Sequence, residues 1–108
     1  MHPENIYQIS LIPEATSPEV FETLASSGAV RIERIISNGQ CTPPHTWLTE
    51  ELNEWVLLIQ GRATIEFADG SLIQLQKGDY INIPSKTRHK VTFTSREPHC
   101  IWLAVFYP

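Results

Sequence analysis

The length, composition and charge of the chain exclude several classes of protein. Its 108 residues suit one compact domain that can bury a core without disulfide bonds, and two domains are not plausible at this length. The formal net charge is −4 and the 8 Lys and Arg residues are scattered, so the sequence does not predict a nucleic-acid-binding surface.

The N-terminal region predicts neither a secretion signal nor a membrane partner. It carries acidic residues such as Glu4 and Glu14 where a signal peptide is basic, and no window of the chain reaches the length of an apolar transmembrane span. We therefore expect a cytoplasmic protein. Cys41 and Cys100 lie far apart and lack CxxC spacing, which in a reducing compartment favours two buried or half-buried free thiols over a disulfide or a zinc site.

The first part of the chain predicts one extended segment and one helix. Residues 6–12 are largely apolar, which favours a short extended segment that docks on another surface. Residues 17–19, Ser-Pro-Glu, combine an N-cap, a proline at the first helical position and an acid near the positive end of the helix dipole. We predict the only helix from residue 18 to about residue 26, ended by Gly28.

The remainder of the chain alternates apolar and polar residues with the period of a β-strand. Turn signals at Asn38-Gly39, Asp69-Gly70 and Gly78-Asp79 separate these segments, and residues 54–67 read as a hairpin interrupted at Gly61. We predict a β-barrel of two packed antiparallel sheets with one short helix outside it. Its seven strands are expected at residues 29–37, 54–60, 62–68, 71–76, 80–83, 89–95 and 100–107.

Two polar side chains begin strands on an apolar face. Glu54 is in phase with Val56 and Leu58, and His89 is in phase with Val91 and Phe93. A carboxylate on an apolar face is costly unless it is paired, hydrogen-bonded or bound to a metal. The pattern therefore predicts that Glu54 and His89 point into the same barrel interior.

The last strand, residues 101–107, is apolar on both faces. Ile101, Leu103 and Val105 lie on one face, and Trp102 and Phe106 lie on the other. Such a strand is either central to a sandwich or covered by a partner subunit. We expect a homodimer, with residues 6–12 available to pair with a partner sheet.

Two spaced motifs resemble the cupin family. Gly39, five residues, His45, then Glu54, six residues, Gly61 resembles the first cupin motif, and Gly78, five residues, Pro84 followed by His89 resembles the second. The resemblance implies an all-β, jelly-roll-like double-stranded β-helix: a small single-domain cupin in which residues 1–28 are an extension with the helix and residues 29–108 form the barrel.

The motifs also depart from the family pattern at single positions. Trp47 stands in place of the second histidine of the first motif, and the spacer to Glu54 is longer than usual. Lys86 and Phe93 replace the glycine and asparagine of the second motif. The sequence is most similar to small cupins with a Glu-Trp-Val-Leu-Leu run, which are mostly of unassigned function and often lack the full metal set.

Carried over position by position, the family's metal ligands become His45, Glu54 and His89. They imply a divalent transition metal, Fe, Mn, Ni or Zn, held by two imidazoles and one carboxylate. Each residue also has a plainer interpretation: His45 as a surface loop residue, Glu54 as half of a buried ion pair with Arg34 or Arg62, and His89 as a core histidine bonded to a backbone carbonyl.

Aromatic residues are candidates for the lining of a ligand pocket. Trp47, Tyr80 and Trp102 could supply shape and a polar edge to a small-molecule site, although such residues more often belong to a core or a dimer interface. No nucleophile with an adjacent base is visible in the sequence, so catalytic residues are not assigned.

Three functions are compatible with these residues. The first is a metal-dependent oxygenase or isomerase that acts on a small polar organic molecule. The second is a binder or sensor of a small molecule without a metal, and the third is a barrel whose role is assembly. The absence of the second histidine of the first motif favours the small-molecule binder over the metal-dependent enzyme.

Overall fold

The computed structural model describes residues 1–108 and contains eight β-strands and no helix. It therefore has no helix that could cross a membrane. Seven of the strands match the predicted ones to within one residue at each end. The strands are β1 (Val20–Ser27), β2 (Val30–Ser37), β3 (Asn53–Gln60), β4 (Arg62–Phe67), β5 (Leu72–Gln76), β6 (Tyr80–Ile83), β7 (His89–Thr94) and β8 (Cys100–Tyr107).

The strands form two antiparallel sheets that face each other, which is the architecture of a double-stranded β-helix. The larger sheet has the order β1-β2-β8-β3-β6, and the smaller sheet has the order β5-β4-β7. Alternate residues of each strand point between the sheets, where Val56, Leu58, Ile65, Ala104 and Phe106 belong to one buried cluster. The strand β8 lies between β2 and β3, with its inner residues Trp102, Ala104 and Phe106 buried and its outer residues Leu103 and Val105 half-buried.

The predicted helix at residues 18–26 is wrong, because this segment forms β1. Seven residues of β1 are in register with β2, from Val20 opposite Ile36 to Ser27 opposite Val30. Gly28 has a φ of 57° and occupies the first central position of the two-residue turn between the strands, where glycine is favoured. A helix of nine residues is marginal by itself, whereas the edge of β2 offers a complete ladder of backbone partners.

The hairpin predicted at residues 54–67 is also wrong, since its two strands belong to different sheets. The chain passes from β3 to β4 at Gly61, whose φ of 96° lies in the region that side chains rarely adopt. A β-carbon at this position would lie 2.8 Å from Sγ and 3.0 Å from Cα of Cys100. The glycine therefore serves the transfer between sheets and the close approach of β8.

One residue of β7 interrupts the alternation that the sequence suggested. Thr64 is opposite Phe93 while Ile65 is opposite Val91, so Thr92 is an extra residue on β7. As a result Phe93 is 43% exposed, and Thr94 is buried in its place. The bulge leaves His89 on the inner face, three residues before Thr92.

The N-terminal residues pack on the outer face of the larger sheet of their own chain. The Arg34 guanidinium donates from Nη1 to the backbone oxygens of Asn5, Ile6 and Gln8, and its Nη2 lies 2.7 Å from Oε2 of Glu22 on β1. The segment 6–12 is thus attached to the sheet through the backbone of Ile6 and Gln8, but it forms no strand and Tyr7, Leu11 and Ile12 remain exposed.

Candidate functional site

A cavity of about 700 Å³ lies between the two sheets. Its apolar wall comes from the inner faces of five strands, in agreement with the period-two pattern. The side chains that form this wall are Ile35, Val56, Ile65, Ile83, Trp102 and Phe106. Residues 15–19 and Phe21, which lead into and begin β1, form part of the cavity lining.

Glu54 and His89 both line this cavity, as the alternation predicted. Glu54 lies on β3 opposite Phe106 of β8 and Ile83 of β6, which fixes its side chain on the inner face of the larger sheet. His89 lies at the start of β7, opposite Phe67, and its side chain is only 5% exposed. Two strands from different sheets therefore bring the carboxylate and the imidazole together.

The two side chains approach each other without forming a hydrogen bond. His89 Nε2 is 3.8 Å from Oε1 of Glu54, which is longer than a hydrogen bond allows. His89 Nδ1 lies 2.9 Å from the backbone oxygen of Thr87, and because a carbonyl only accepts, Nδ1 carries the proton. In the neutral imidazole Nε2 is then an acceptor that faces the cavity.

Burial raises the pKa of Glu54 to about 7. Burial is the largest cause; the negative charges of Glu50 and Glu33 also contribute to this raised value, and the guanidinium of Arg31 opposes them. That guanidinium lies 2.9 Å from Glu33 and stacks 4.1 Å from the ring centre of Phe106. Glu54 therefore exchanges a proton close to neutral pH, which is the property of a general acid or base.

A second carboxylate reaches the cavity through a hydrogen-bonded chain that sequence reasoning missed. Trp102 Nε1 donates to Ser37 Oγ over 2.9 Å, and Ser37 Oγ in turn donates to Oε2 of Glu19. Burial raises the pKa of Glu19, and the hydrogen bond from Ser37 acts in the opposite direction. Ser37 could have been found, since it is in phase with Ile35 on the inner face; Glu19 could not, because its segment was predicted as a helix.

The third predicted ligand, His45, lies apart from Glu54 and His89. It is exposed on the loop before β3, has a φ of 63° and is not among the residues that line the cavity. No group of three or more His, Cys, Asp or Glu side chains is placed to hold a metal ion. The arrangement of donors in this structure therefore does not fit a metal with three protein ligands.

Two of the three predicted pocket aromatics also lie elsewhere, and only Trp102 lines the cavity. Tyr80 is 64% exposed and packs against Trp55 with ring centres 5.3 Å apart, because its position opposite Leu57 turns it to the outer face. Trp47 lies below the side chains of Lys90 and Arg88, whose charged groups are 4.4 Å and 5.4 Å from its ring centre. Trp47 serves a surface cation–π cluster and does not replace a metal ligand.

The two cysteines are free, as predicted, but the predicted burial is wrong for Cys41, which is exposed, and neither thiol is placed as an activated nucleophile. Cys100 is buried, and Cys41 is exposed at the cavity with its Sγ near the backbone oxygens of Gly39 and Thr92. Neither thiol lies beside a side-chain base among these contacts. The cavity therefore offers proton transfer and hydrogen bonding and shows no covalent chemistry.

Comparison with known proteins supports the interpretation of the fold. Residues 33–106 match the family model Cupin_2, the cupin domain. A comparison with curated proteins finds no match.

Several solved structures resemble the chain over most of its length. A protein of Ralstonia eutropha JMP134, provisionally described as a mannose-6-phosphate isomerase, is 33% identical with a TM-score of 0.88, covering 99% of this chain and 98% of that one. A cupin superfamily protein of Desulfitobacterium hafniense DCB-2 is 22% identical with a TM-score of 0.71, covering 91% and 84%. An RmlC-like cupin of Methanocaldococcus jannaschii with a double-stranded β-helix fold is 16% identical with a TM-score of 0.68, covering 97% and 94%.

Proposed function

The chain belongs to the cupin family, and we propose that the interior of its barrel binds a small polar organic molecule through Glu54 and His89. The observation that carries the proposal is the gap of 3.8 Å between His89 Nε2 and Glu54 Oε1 inside a cavity of about 700 Å³. No fully buried side-chain nitrogen or oxygen lacks a hydrogen-bond partner, so these two atoms, which have none within the chain, remain accessible from the cavity. A ligand placed between them would supply those partners.

The size and lining of the cavity agree with this proposal. Ligand sites are commonly concave and mostly apolar, with a few polar groups that fix orientation. Here Val56, Ile65 and Phe106 offer an apolar surface, while Glu54 and His89 offer polar atoms from opposite sheets. A bound molecule would pack against the apolar side chains and be oriented by hydrogen bonds to Glu54 and His89.

Binding can be tested by nuclear magnetic resonance with a library of small polar molecules. Binding in the cavity should shift the indole N–H signal of Trp102, identified with Trp102→Phe, together with the amide signals of Val56 and His89. Glu54→Gln and His89→Ala should each weaken such binding by about tenfold, the effect of one lost hydrogen bond to a buried group. A library that leaves these signals unchanged would refute the proposal.

A metal-dependent oxygenase or isomerase is the second candidate function. It is favoured by one observation, that Glu50 lines the same cavity as Glu54 and His89 and is near enough to Glu54 to raise its pKa. The provisional description of the Ralstonia eutropha protein as an isomerase agrees with it. Fe, Mn, Ni or Zn would be the metals to consider, since imidazole and carboxylate ligands suit them.

Metal content separates the two candidates. Wild type, Glu54→Gln, His89→Ala and His45→Ala, purified without an affinity tag, would be loaded with Fe(II), Mn(II), Ni(II) or Zn(II) and analysed for bound metal. The metal-dependent function requires a stoichiometric metal that Glu54→Gln and His89→Ala lose. Loss in His45→Ala as well would show that the loop closes to complete the set, whereas equal metal in all four proteins would exclude this site.

A further inference from the structure

The charged groups that line the cavity are of one sign. Glu19, Glu50 and Glu54 line it, and no Lys or Arg does. The cation that acts on Glu54, Arg31, is already paired with Glu33 and stacked on Phe106. Above pH 7, where Glu54 is ionised, such a set of charges repels an anion and attracts a cation.

A second and independent observation concerns the hydrogen-bonding capacity of His89. Its side chain is 95% buried and its Nδ1 proton is taken by the Thr87 carbonyl, so that Nε2 faces the cavity as an acceptor without a donor. The carboxylate of Glu54 lies 3.8 Å away and, when ionised, is also an acceptor. Two acceptors this close need a ligand group that donates at least two hydrogen bonds.

An ammonium group meets this requirement better than a hydroxyl or a phosphate does. Its nitrogen can lie about 2.9 Å from both acceptors and donates up to three hydrogen bonds. A hydroxyl donates only one bond, and a phosphate ester brings negative charge and acceptors to a place that already has both. The aromatic rings of Trp102 and Phe106 in the same wall also favour a cation over an anion.

We propose that the ligand of this cavity is a small organic ammonium ion with an apolar body, its nitrogen held between Glu54 and His89. This inference rests on the proposed binding function and specifies the class of molecule. The apolar body packs against Val56, Ile65 and Phe106. The substrate in the description of the Ralstonia eutropha protein is a sugar phosphate, an anion, so the two chains are expected to differ in ligand.

Three molecules of similar shape test the charge preference. Calorimetric titration at about pH 8 would compare 2-phenylethylamine, which is cationic, with neutral 2-phenylethanol and anionic phenylacetate. The amine should bind at least about tenfold more tightly than either of the others. Glu54→Gln should remove most of that advantage, while Glu51→Gln, a change of the same kind at an 86% exposed side chain, should leave it intact.

The outcomes separate this inference from the proposed function. Equal or tighter binding of the alcohol or the carboxylate overturns the ammonium preference and leaves a cavity that binds small molecules. The same conclusion follows if library molecules bind in the cavity and 2-phenylethylamine does not. Absence of binding by both the series and the library refutes the inference and the proposed function together.

Discussion

At the scale of single residues, Glu54 should make the stability of the protein depend on pH. Its pKa is about 7 in the folded chain and about 4.5 when the side chain is exposed, so the folded state holds the proton more tightly. Stability from this group is fully present below pH 4.5 and is lost as the pH rises through 7. The change amounts to about 3 kcal/mol for a shift of this size.

Urea unfolding between about pH 4 and pH 8 measures this effect. Glu54→Gln cannot ionise, so it should gain stability relative to wild type across this range, by up to about 3 kcal/mol at the upper end. Glu51→Gln, exposed on the surface, should follow wild type. Burial, Glu50 and Glu33 raise the pKa of Glu54, and Arg31 lowers it. A stability difference between Glu54→Gln and wild type that does not change with pH would therefore contradict the raised pKa.

Gly61 is the residue at which a single methyl group should be most damaging. Gly61→Ala pays the strain of a φ of 96° and also forces its new carbon against Cys100, at 2.8 Å from Sγ and 3.0 Å from Cα. Gly78→Ala has a similar φ of 91° but nothing within 4 Å, so it isolates the strain. Chemical denaturation should show Gly61→Ala about 2 kcal/mol less stable than Gly78→Ala, the usual cost of overpacking, and similar values for the two would contradict this explanation.

At the scale of structural elements, the segment before β1 closes part of the cavity and is held in place by side chains that follow β2. Gln40 donates from Nε2 to the backbone oxygens of Glu14 at 2.8 Å and Ser17 at 2.9 Å. Asn38 donates from Nδ2 to the backbone oxygen of Pro13 at 2.9 Å. This segment has no strand partner before Val20, so these bonds decide how often it opens.

Gln40→Ala should therefore loosen residues 14–19 more than the rest of the chain. We expect a loss of about 1–2 kcal/mol from the missing hydrogen bonds and faster amide hydrogen exchange confined to that segment. Gln74→Ala, an exposed position on β5 of the other sheet, is the matched control. Exchange that rises evenly over the barrel in Gln40→Ala would show that the bonds stabilise the whole fold and do not control the segment.

At the scale of the whole molecule, the outer face of the larger sheet supports the prediction of a homodimer. Trp55, Leu57, Leu103 and Val105 are neighbours on this face and are only half-buried, with Tyr80 at its edge 64% exposed. The N-terminal segment is hydrogen-bonded to this face through Arg34, the cross-strand neighbour of Leu103. A continuous apolar patch of this kind is typical of an interface between subunits.

Light scattering should give twice the 12.3 kDa mass of one chain. Tyr80→Glu places a charge on the patch at an exposed position and should shift the protein toward monomer without unfolding it. Leu72→Glu, on β5 of the other sheet and 61% exposed, should remain dimeric. A monomeric mass for wild type would contradict the prediction of a dimer. Dissociation caused by Leu72→Glu and not by Tyr80→Glu would contradict the proposed interface.

The sequence by itself determined seven strands, the cupin motifs and the inward direction of Glu54 and His89. These properties depend on local alternation, because a strand's side chains point to opposite faces in turn and one buried face requires apolar residues at every second position. Asp69-Gly70 and Gly78 likewise predict turns, because their backbone preferences act within a few residues.

Tertiary structure alone decided β1, the bulge at Thr92 and the membership of the cavity wall. The segment 18–26 carries good signals for a helix start, and only the open edge of β2 offered a more favourable ladder of hydrogen bonds. The chain from Trp102 through Ser37 to Glu19 joins three distant parts of the sequence, and His45 has the right spacing for a ligand but lies on a loop outside the cavity. Such contacts depend on how strands from two sheets are placed against each other, and that placement is set by long-range packing that local patterns do not encode.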